Sequence, residues 1–196
     1  MKKFFLKWTV ALLFVAFDGA NLFAFEAYDD VEAGNGLYCI EVYTSSELAR
    51  YASRGNIWPE DSYFEDFNTV ITGLTENSFP KGKVCVIVNS EFEDNVTSIT
   101  IPEKIDGYPV VGINYMDSWD AKTLTLPKSL VFLGAIDGEN LESIKIQSQK
   151  LYFPYQREEY ERGYELELNS SLPSLSEKSK SDLRKAGYTG SFPSDD

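Results

Sequence analysis

Histidine is absent from this chain of 196 residues, and cysteine occurs only twice. Histidine is the commonest general base and metal ligand near neutral pH, so its absence disfavours most acid-base and zinc enzymes. The sequence also lacks a glycine-rich phosphate loop, a Gly-x-Ser-x-Gly nucleophile motif and a cysteine cluster. We therefore predict no catalytic residues, no bound metal and no cofactor.

Positive charge is also scarce. The chain holds 18 Lys and Arg against 31 Asp and Glu, which gives a formal net charge of −13. A strongly acidic protein repels phosphate backbones and anionic lipid surfaces. We therefore do not expect nucleic acid or a membrane surface as a partner.

Long apolar runs are missing, because the run at residues 8–17 covers only ten positions. It follows Lys2, Lys3 and Lys7, which is the layout of a secretory signal peptide, and a span of the bilayer needs about 20 apolar residues. We predict a signal peptide at residues 1–24, cleaved after Ala24, and an exported protein with no membrane insertion afterwards. Its location would be the periplasm, the cell surface or the medium; an uncleaved anchor is the alternative. Cleavage removes three lysines and one aspartate and changes the net charge from −13 to −15.

The two cysteines, Cys39 and Cys85, lie in strand-like stretches. Export to an oxidising compartment makes a disulfide between them one hypothesis, and two buried thiols that are not joined are the other. A catalytic thiol is not expected, because no histidine is present to activate it.

A short repeat is the most informative feature that the sequence contains. Three six-residue copies, at residues 96–101, 121–126 and 141–146, carry apolar residues at positions one, four and six, and they start 25 and 20 residues apart. This spacing falls in the range of leucine-rich repeats, about 20 to 29 residues, in which each unit is a short strand with an irregular return. Stacked units would pair Ile99, Leu124 and Ile144 in one inward column of a parallel sheet. The alternative is an antiparallel sheet whose strands resemble one another, and a weaker fourth copy follows at residues 163–168.

We therefore predict a β-rich α+β fold: a short leucine-rich-repeat solenoid with a parallel sheet, a mixed strand and helix N-terminal cap, and a C-terminal helix. The expected segments are the signal peptide at 1–24, an N-terminal capping region at 25–95, the solenoid at 96–168, and a C-terminal capping helix and tail at 169–196. A capping box from Thr44 to Glu47 predicts one helix. Residues 175–186, followed by Gly187 as a stop, predict a second.

Residues 101–113, Ile-Pro-Glu-Lys-Ile-Asp-Gly-Tyr-Pro-Val-Val-Gly-Ile, and the Leu-x-x-Ile-x-Ile pattern at residues 141–146 also resemble a known family. They are similar to the BspA-like, or treponemal-type, leucine-rich repeats of bacterial exported proteins. The chain departs from that pattern because it lacks the family's Ala-Phe-x-x-Cys segment on the return side of each unit. The resemblance implies a scaffold for protein binding or adhesion.

Binding residues are expected at the outward positions of the repeated strands, where a stacked sheet offers its surface. A simpler explanation of the threonines is that β-branched residues suit strands. Rival sites are Trp119 and the aromatic group Tyr152, Phe153 and Tyr155. The predicted surface consists of Thr97, Ser98, Thr100, Lys122, Thr123, Thr125, Glu142, Ser143, Lys145 and Tyr164.

The predicted function is that of an exported, non-enzymatic protein that binds a protein or another macromolecule, in adhesion or at the envelope. One alternative is a structural envelope component that self-assembles through an exposed strand edge. A third hypothesis is a small acidic enzyme that uses Glu/Asp pairs, for which the candidates are Glu60, Asp61, Glu65 and Asp66.

Overall fold

The structure is a computed structural model that describes residues 26–54, 59, 62, 69–93, 95–118, 120–153, 155–156, 164–165, 172–190 and 192. The predicted signal peptide lies outside the described residues. The described ranges contain a 3₁₀ helix, Glu76–Ser78, and the following strands and α-helices. They are β1 Glu26–Ala33, β2 Gly36–Thr44, α1 Ser45–Arg54, β3 Thr69–Val70, β4 Lys83–Phe92, β5 Ser98–Thr100, β6 Lys104–Ile105, β7 Tyr108–Asp117, β8 Thr123–Thr125, β9 Phe132–Asp137, β10 Ser143–Lys145, β11 Tyr155–Gln156, β12 Tyr164–Glu165 and α2 Glu177–Ala186.

The largest sheet, called the main sheet below, has six strands and mixed directions. Its order is β1-β2-β4-β7, and both β9 and the short β6 pair with β7. The pairs β1–β2 and β2–β4 are antiparallel, whereas β4–β7 and β7–β9 are parallel. β6 and β7 form a hairpin whose turn, Asp106-Gly107, has positive φ at both residues, 48° and 86°. Asp-Gly is a preferred pair for such a two-residue turn.

A second sheet, called the small sheet below, consists of β10, β8 and β5 in that order. Each strand is three residues long and all three are parallel. The register pairs Ile99 with Leu124 and Leu124 with Ile144, and these three side chains are buried. The strand pairing predicted from the repeat is therefore confirmed for these three strands.

The two sheets and α1 form three layers. One core cluster lies between the main sheet and the small sheet; Ile87 and Ile113 contribute to it from the main sheet, and Leu124 from the small sheet. The second cluster lies on the other face of the main sheet, where Val86 packs with Leu48 and other residues of α1. Successive residues of β4 are therefore buried on opposite faces, as is typical of strands covered on both sides.

The solenoid prediction is wrong, although the α+β, strand-rich class is confirmed. The described residues form a mixed α+β structure and not a stack of repeat units. β1 and β2 are not repeat units, and they extend the main sheet in the antiparallel direction. The expected fourth copy fails as well, since β12 pairs antiparallel with β11, which in turn pairs with β3. The predicted segment boundaries stay predictions. β4 belongs to the predicted N-terminal capping region and β7 to the predicted solenoid, and these two strands pair with each other.

Both predicted helices are present. At α1, the Glu47 amide donates to Thr44 Oγ1 at 3.3 Å and the Thr44 amide donates to Glu47 Oε2 at 3.0 Å, so the capping box is confirmed. α2 begins later than predicted, with Ser176 as N-cap, and it ends at Gly187, whose φ is 120°. No helix in the described part of the chain is long and apolar enough to span a bilayer.

Candidate functional site

The outward side of the small sheet, called the ladder face below, carries short polar side chains in rows. The inward residue of each strand is buried, so the flanking residues of β5, β8 and β10 point away from the core. The parallel register places Ser98, Thr123 and Ser143 in one row. A second row holds Thr100, Thr125 and Lys145. The buried middle residue of each strand attaches the ladder face to the core.

The residues before the three strands form a third row beside the ladder face. The Lys122 amide donates to the Thr97 carbonyl at 2.9 Å, and the Glu142 amide donates to the Lys122 carbonyl at 3.0 Å. Lys122 Nζ lies 3.6 Å from Glu142 Oε1, and both side chains are exposed. A salt bridge at such an exposed position contributes little to stability. Tyr164, predicted as part of the same surface, lies instead on β12, away from β10.

Polar groups of neighbouring segments form hydrogen bonds with both edges of the small sheet. At the β5 edge, Asn35 Nδ2 donates to the Ser98 carbonyl at 3.2 Å. At the β10 edge, the Ile144 amide donates to Ser179 Oγ at 3.0 Å, and the Ser176 amide donates to the Glu142 carbonyl at 2.9 Å. Bare strand edges invite pairing with another chain, so these contacts reduce that tendency.

An acidic cavity of about 200 Å³ lies where β4 and β7 end and the turns to β5 and β8 begin. Its apolar walls are Phe92, Val96, Ile99 and Ala121. Among the residues that the structure describes, the polar lining holds no lysine or arginine and consists of Ser90, Glu91, Glu93, Asp117, Ser118 and Asp120. Sequence reasoning missed this site, because its residues come from two turns that are about 25 positions apart in the chain.

Ser90 is the unusual member of the acidic cavity. The residue is only 8% exposed, and its hydroxyl is buried without a hydrogen-bond partner. The hydroxyl of Tyr38, the residue opposite Ser90 on β2, is likewise buried without a partner. Burial raises the pKa of Tyr38 to about 12. Buried hydroxyls normally have partners, and leaving one without a partner costs about 1–3 kcal/mol, so these two groups call for an explanation.

A neighbouring cavity of about 260 Å³ shares Glu91, Phe92 and Glu93 with the acidic cavity. It extends to the β1–β2 turn, where Glu32 adds another carboxylate and Leu37 is an exposed large apolar residue. Phe92 makes an edge contact with the Tyr38 ring at a centroid distance of 5.9 Å. The two cavities therefore share one wall, which residues 91–93 form.

Glu41 is a buried carboxylate on the opposite side of the main sheet. It accepts hydrogen bonds from the Tyr43 hydroxyl and, at 3.1 Å, from Ser62 Oγ. Burial and the Glu41 charge raise the pKa of Tyr43. These bonds hold the chain at Ser62 against β2, which is a structural role.

The two thiols are not joined by a disulfide. Cys85 lies in the cluster between the sheets, whereas Cys39 packs against the cluster under α1, so their side chains point to opposite faces. A disulfide needs Cβ atoms about 4 Å apart, and this arrangement prevents it. Burial raises the pKa of Cys85 to about 12, so this thiol is a poor nucleophile.

Two further hypotheses concern the aromatic residues and the acidic pairs. Phe153 packs on the Tyr188 ring at 5.2 Å, and Lys150 Nζ lies 4.4 Å from the Tyr152 ring centre. Trp119 and the side chain of Tyr155 lie outside the described residues, as do all four acidic candidates between residues 60 and 66. Among the described residues, no three Cys, Asp or Glu side chains are placed to hold a metal ion.

Comparison with known proteins gives no relative. No protein-family model matches the chain, and neither the curated proteins nor the solved structures contain a match.

Proposed function

We propose that this chain is an exported, non-enzymatic binding protein that uses the ladder face to contact another macromolecule. The observation that carries the proposal is the outward face of the small sheet: two rows on a buried support, in which every side chain except that of Lys145 is short and polar. Such side chains lose little conformational entropy when a partner covers them, and hydroxyls both donate and accept hydrogen bonds. The resemblance to BspA-like repeats, which implies binding or adhesion, supports the same proposal.

The ladder face alone is too small for a stable complex. Three strands about 4.8 Å apart, with three residues each, cover far less than the roughly 800 Å² per partner of a standard interface. The contact surface must therefore continue onto its surroundings. The row of Thr97, Lys122 and Glu142 lies directly beside the ladder face and is exposed, which makes it the nearest extension.

Self-assembly through an edge of the small sheet is less well supported than binding through its face. Asn35 covers the β5 edge, and Ser176 and Ser179 cover the β10 edge. A component that assembles by edge pairing would leave at least one of these backbone rows open to its neighbour.

The test compares two arginine substitutions. The purified chain is used to capture proteins from envelope and extracellular-matrix fractions, and bound proteins are quantified by mass spectrometry. Thr123→Arg places a long, charged side chain at the centre of the ladder face and is expected to lower the capture of the specific partner at least tenfold. Ser46→Arg, at an exposed position of α1 in the opposite layer, is the matched control and should capture as the unchanged chain does.

Two results would contradict the proposal. Equal capture by the unchanged chain and by Thr123→Arg would show that the ladder face is not the contact surface. A concentration-dependent oligomer in light scattering, disrupted by Asn35→Arg but not by Thr123→Arg, would favour the self-assembly alternative.

A further inference from the structure

We propose that the acidic cavity receives the side chain of an arginine presented by a protein partner. This site is separate from the ladder face, and the proposal does not depend on that surface. Three properties of the cavity carry it: the sign of its charge, the chemistry of its walls and the hydroxyl of Ser90.

The charge of the lining selects a cation. Glu91, Glu93, Asp117 and Asp120 line one cavity, and none of the described residues that line it is basic. Carboxylates that line one space attract a cation, which lowers their free energy when it enters. The walls indicate that the cation is organic. Phe92, Val96 and Ile99 offer apolar surface against which the hydrocarbon part of a long cationic side chain can pack.

The size of the cavity is that of a side chain rather than an ion. Its volume of about 200 Å³ is several times the roughly 30 Å³ that one water molecule occupies in the liquid. The described carboxylates do not converge in a group of three that could hold a metal ion. A long cationic side chain can fill the space and contact several carboxylates along it.

Ser90 distinguishes this cavity from an ordinary acidic surface. Ser90 lines the cavity, is only 8% exposed as a residue, and carries a buried hydroxyl without a partner. A hydrogen-bond donor that enters the cavity would give the Ser90 hydroxyl the partner that it lacks. Guanidinium fits the requirement better than ammonium, because its five donors lie in one plane and can reach Ser90 and a carboxylate together. Guanidinium also stacks on aromatic rings, and Phe92 supplies one.

The first experiment uses three short peptides that differ in one side chain. Acetyl-Ala-Arg-Ala-amide, the lysine analogue and the analogue with citrulline, the uncharged isostere of arginine, are titrated into the isotopically labelled chain and followed by NMR. The arginine peptide is expected to shift the backbone amides of residues 90–93 and 120–121 in a saturable way. The lysine peptide should bind several-fold more weakly, and the citrulline peptide should produce no saturable shift.

Substitutions then separate binding from folding. Asp120→Asn and Glu93→Gln, both at exposed positions, are each expected to weaken binding of the arginine peptide at least fivefold. Glu139→Gln is the matched control, because this exposed acidic residue lies in a neighbouring turn outside the cavity lining. Ser90→Ala should weaken binding at least threefold while the thermal midpoint stays the same or rises, since the buried hydroxyl has no partner to lose.

Several outcomes would overturn the proposal. Equal shifts with the arginine and citrulline peptides would show that the charge is not recognised. Saturation of the same amides by calcium or magnesium chloride at lower concentrations than the peptide would assign a metal site instead. A Ser90→Ala chain that unfolds at lower temperature and binds the peptide normally would give Ser90 a structural role. Thr123→Arg should leave peptide binding unchanged, because this residue lies on the ladder face. The proposal for the acidic cavity can therefore fail independently of the proposal for the ladder face.

Discussion

The main sheet and the small sheet share one core but differ in how many of their faces are covered. Four strands of the main sheet, β2, β4, β7 and β9, contribute residues to the clusters on both faces, and β4 is nearly continuous in apolar residues. Strands of the small sheet are three residues long and bury only the middle residue. The strands of the small sheet therefore keep an alternation of apolar and polar residues. The strands of the main sheet that are covered on both faces lose it. One-sided burial is what makes a repeated strand recognisable in a sequence, because polar residues then mark the register.

The largest expected effect tests this difference directly. In β4, Ile87→Ala and Val86→Ala should both lower the free energy of unfolding, by about 3 and 2 kcal/mol, because the two side chains fill separate clusters. In β8, Leu124→Ala should cost about 3 kcal/mol, whereas Thr125→Ala should cost less than about 1 kcal/mol. Urea denaturation followed by circular dichroism measures all four. A large loss for Thr125→Ala would mean that the ladder face is covered.

The second prediction compares the two edges of the small sheet. Ser179→Ala removes the acceptor of the Ile144 amide, a buried hydrogen bond of 3.0 Å, and should cost about 1–2 kcal/mol. Asn35→Ala removes an exposed bond of 3.2 Å to the Ser98 carbonyl, where water replaces the lost donor, and should cost about 0.5 kcal/mol or less. Hydrogen exchange of the Ile144 amide should also become faster in Ser179→Ala. Equal losses at both edges would show that α2 does not protect the β10 edge.

The parts of the fold that sequence reasoning predicted are the local and the repeated ones. The capping box at Thr44, the stop at Gly187 and the pairing of Ile99, Leu124 and Ile144 all follow from residues that lie close together or recur at a fixed distance. The main sheet was not predicted, because the antiparallel addition of β1 and β2 depends on pairing between strands that carry no shared motif. Tyr164 was misplaced for a related reason: a six-residue pattern indicates a strand but not its neighbour.

The two candidate sites divide in the same way. The rows of the ladder face were predicted because they are the polar partners of the repeated apolar positions. The acidic cavity was missed, because it is formed where the end of β4 approaches the turn after β7. Acidic residues at both places were visible in the sequence. The burial of the Ser90 hydroxyl without a partner, which makes the cavity distinctive, exists only in the folded chain.

The smallest expected effect concerns the turns that connect the two sheets. Glu103, in the turn after β5, accepts hydrogen bonds from the Lys128 amide at 2.8 Å and the Ser129 amide at 3.2 Å in the turn after β8. The Lys128 amide, followed by Ser129, holds the pKa of Glu103 below its ordinary value of 4.5. The carboxylate therefore adds stability that is fully present above the ordinary value and is lost as the pH falls through the lower, folded-state pKa.

Glu103→Gln should remove this contribution, which the exposure of the site limits to about 0.5 kcal/mol. The variant should be less stable than the unchanged chain at pH 7, and the difference should shrink as the pH falls below 4.5, the ordinary carboxyl value. Urea denaturation at several pH values measures the difference, and carbon NMR of the Glu103 carboxyl gives its titration directly. A stability gap that persists at pH 2 would mean that the turns depend on the shape of the Glu103 side chain rather than on its charge, because the carboxyl is then protonated in the unchanged chain as well.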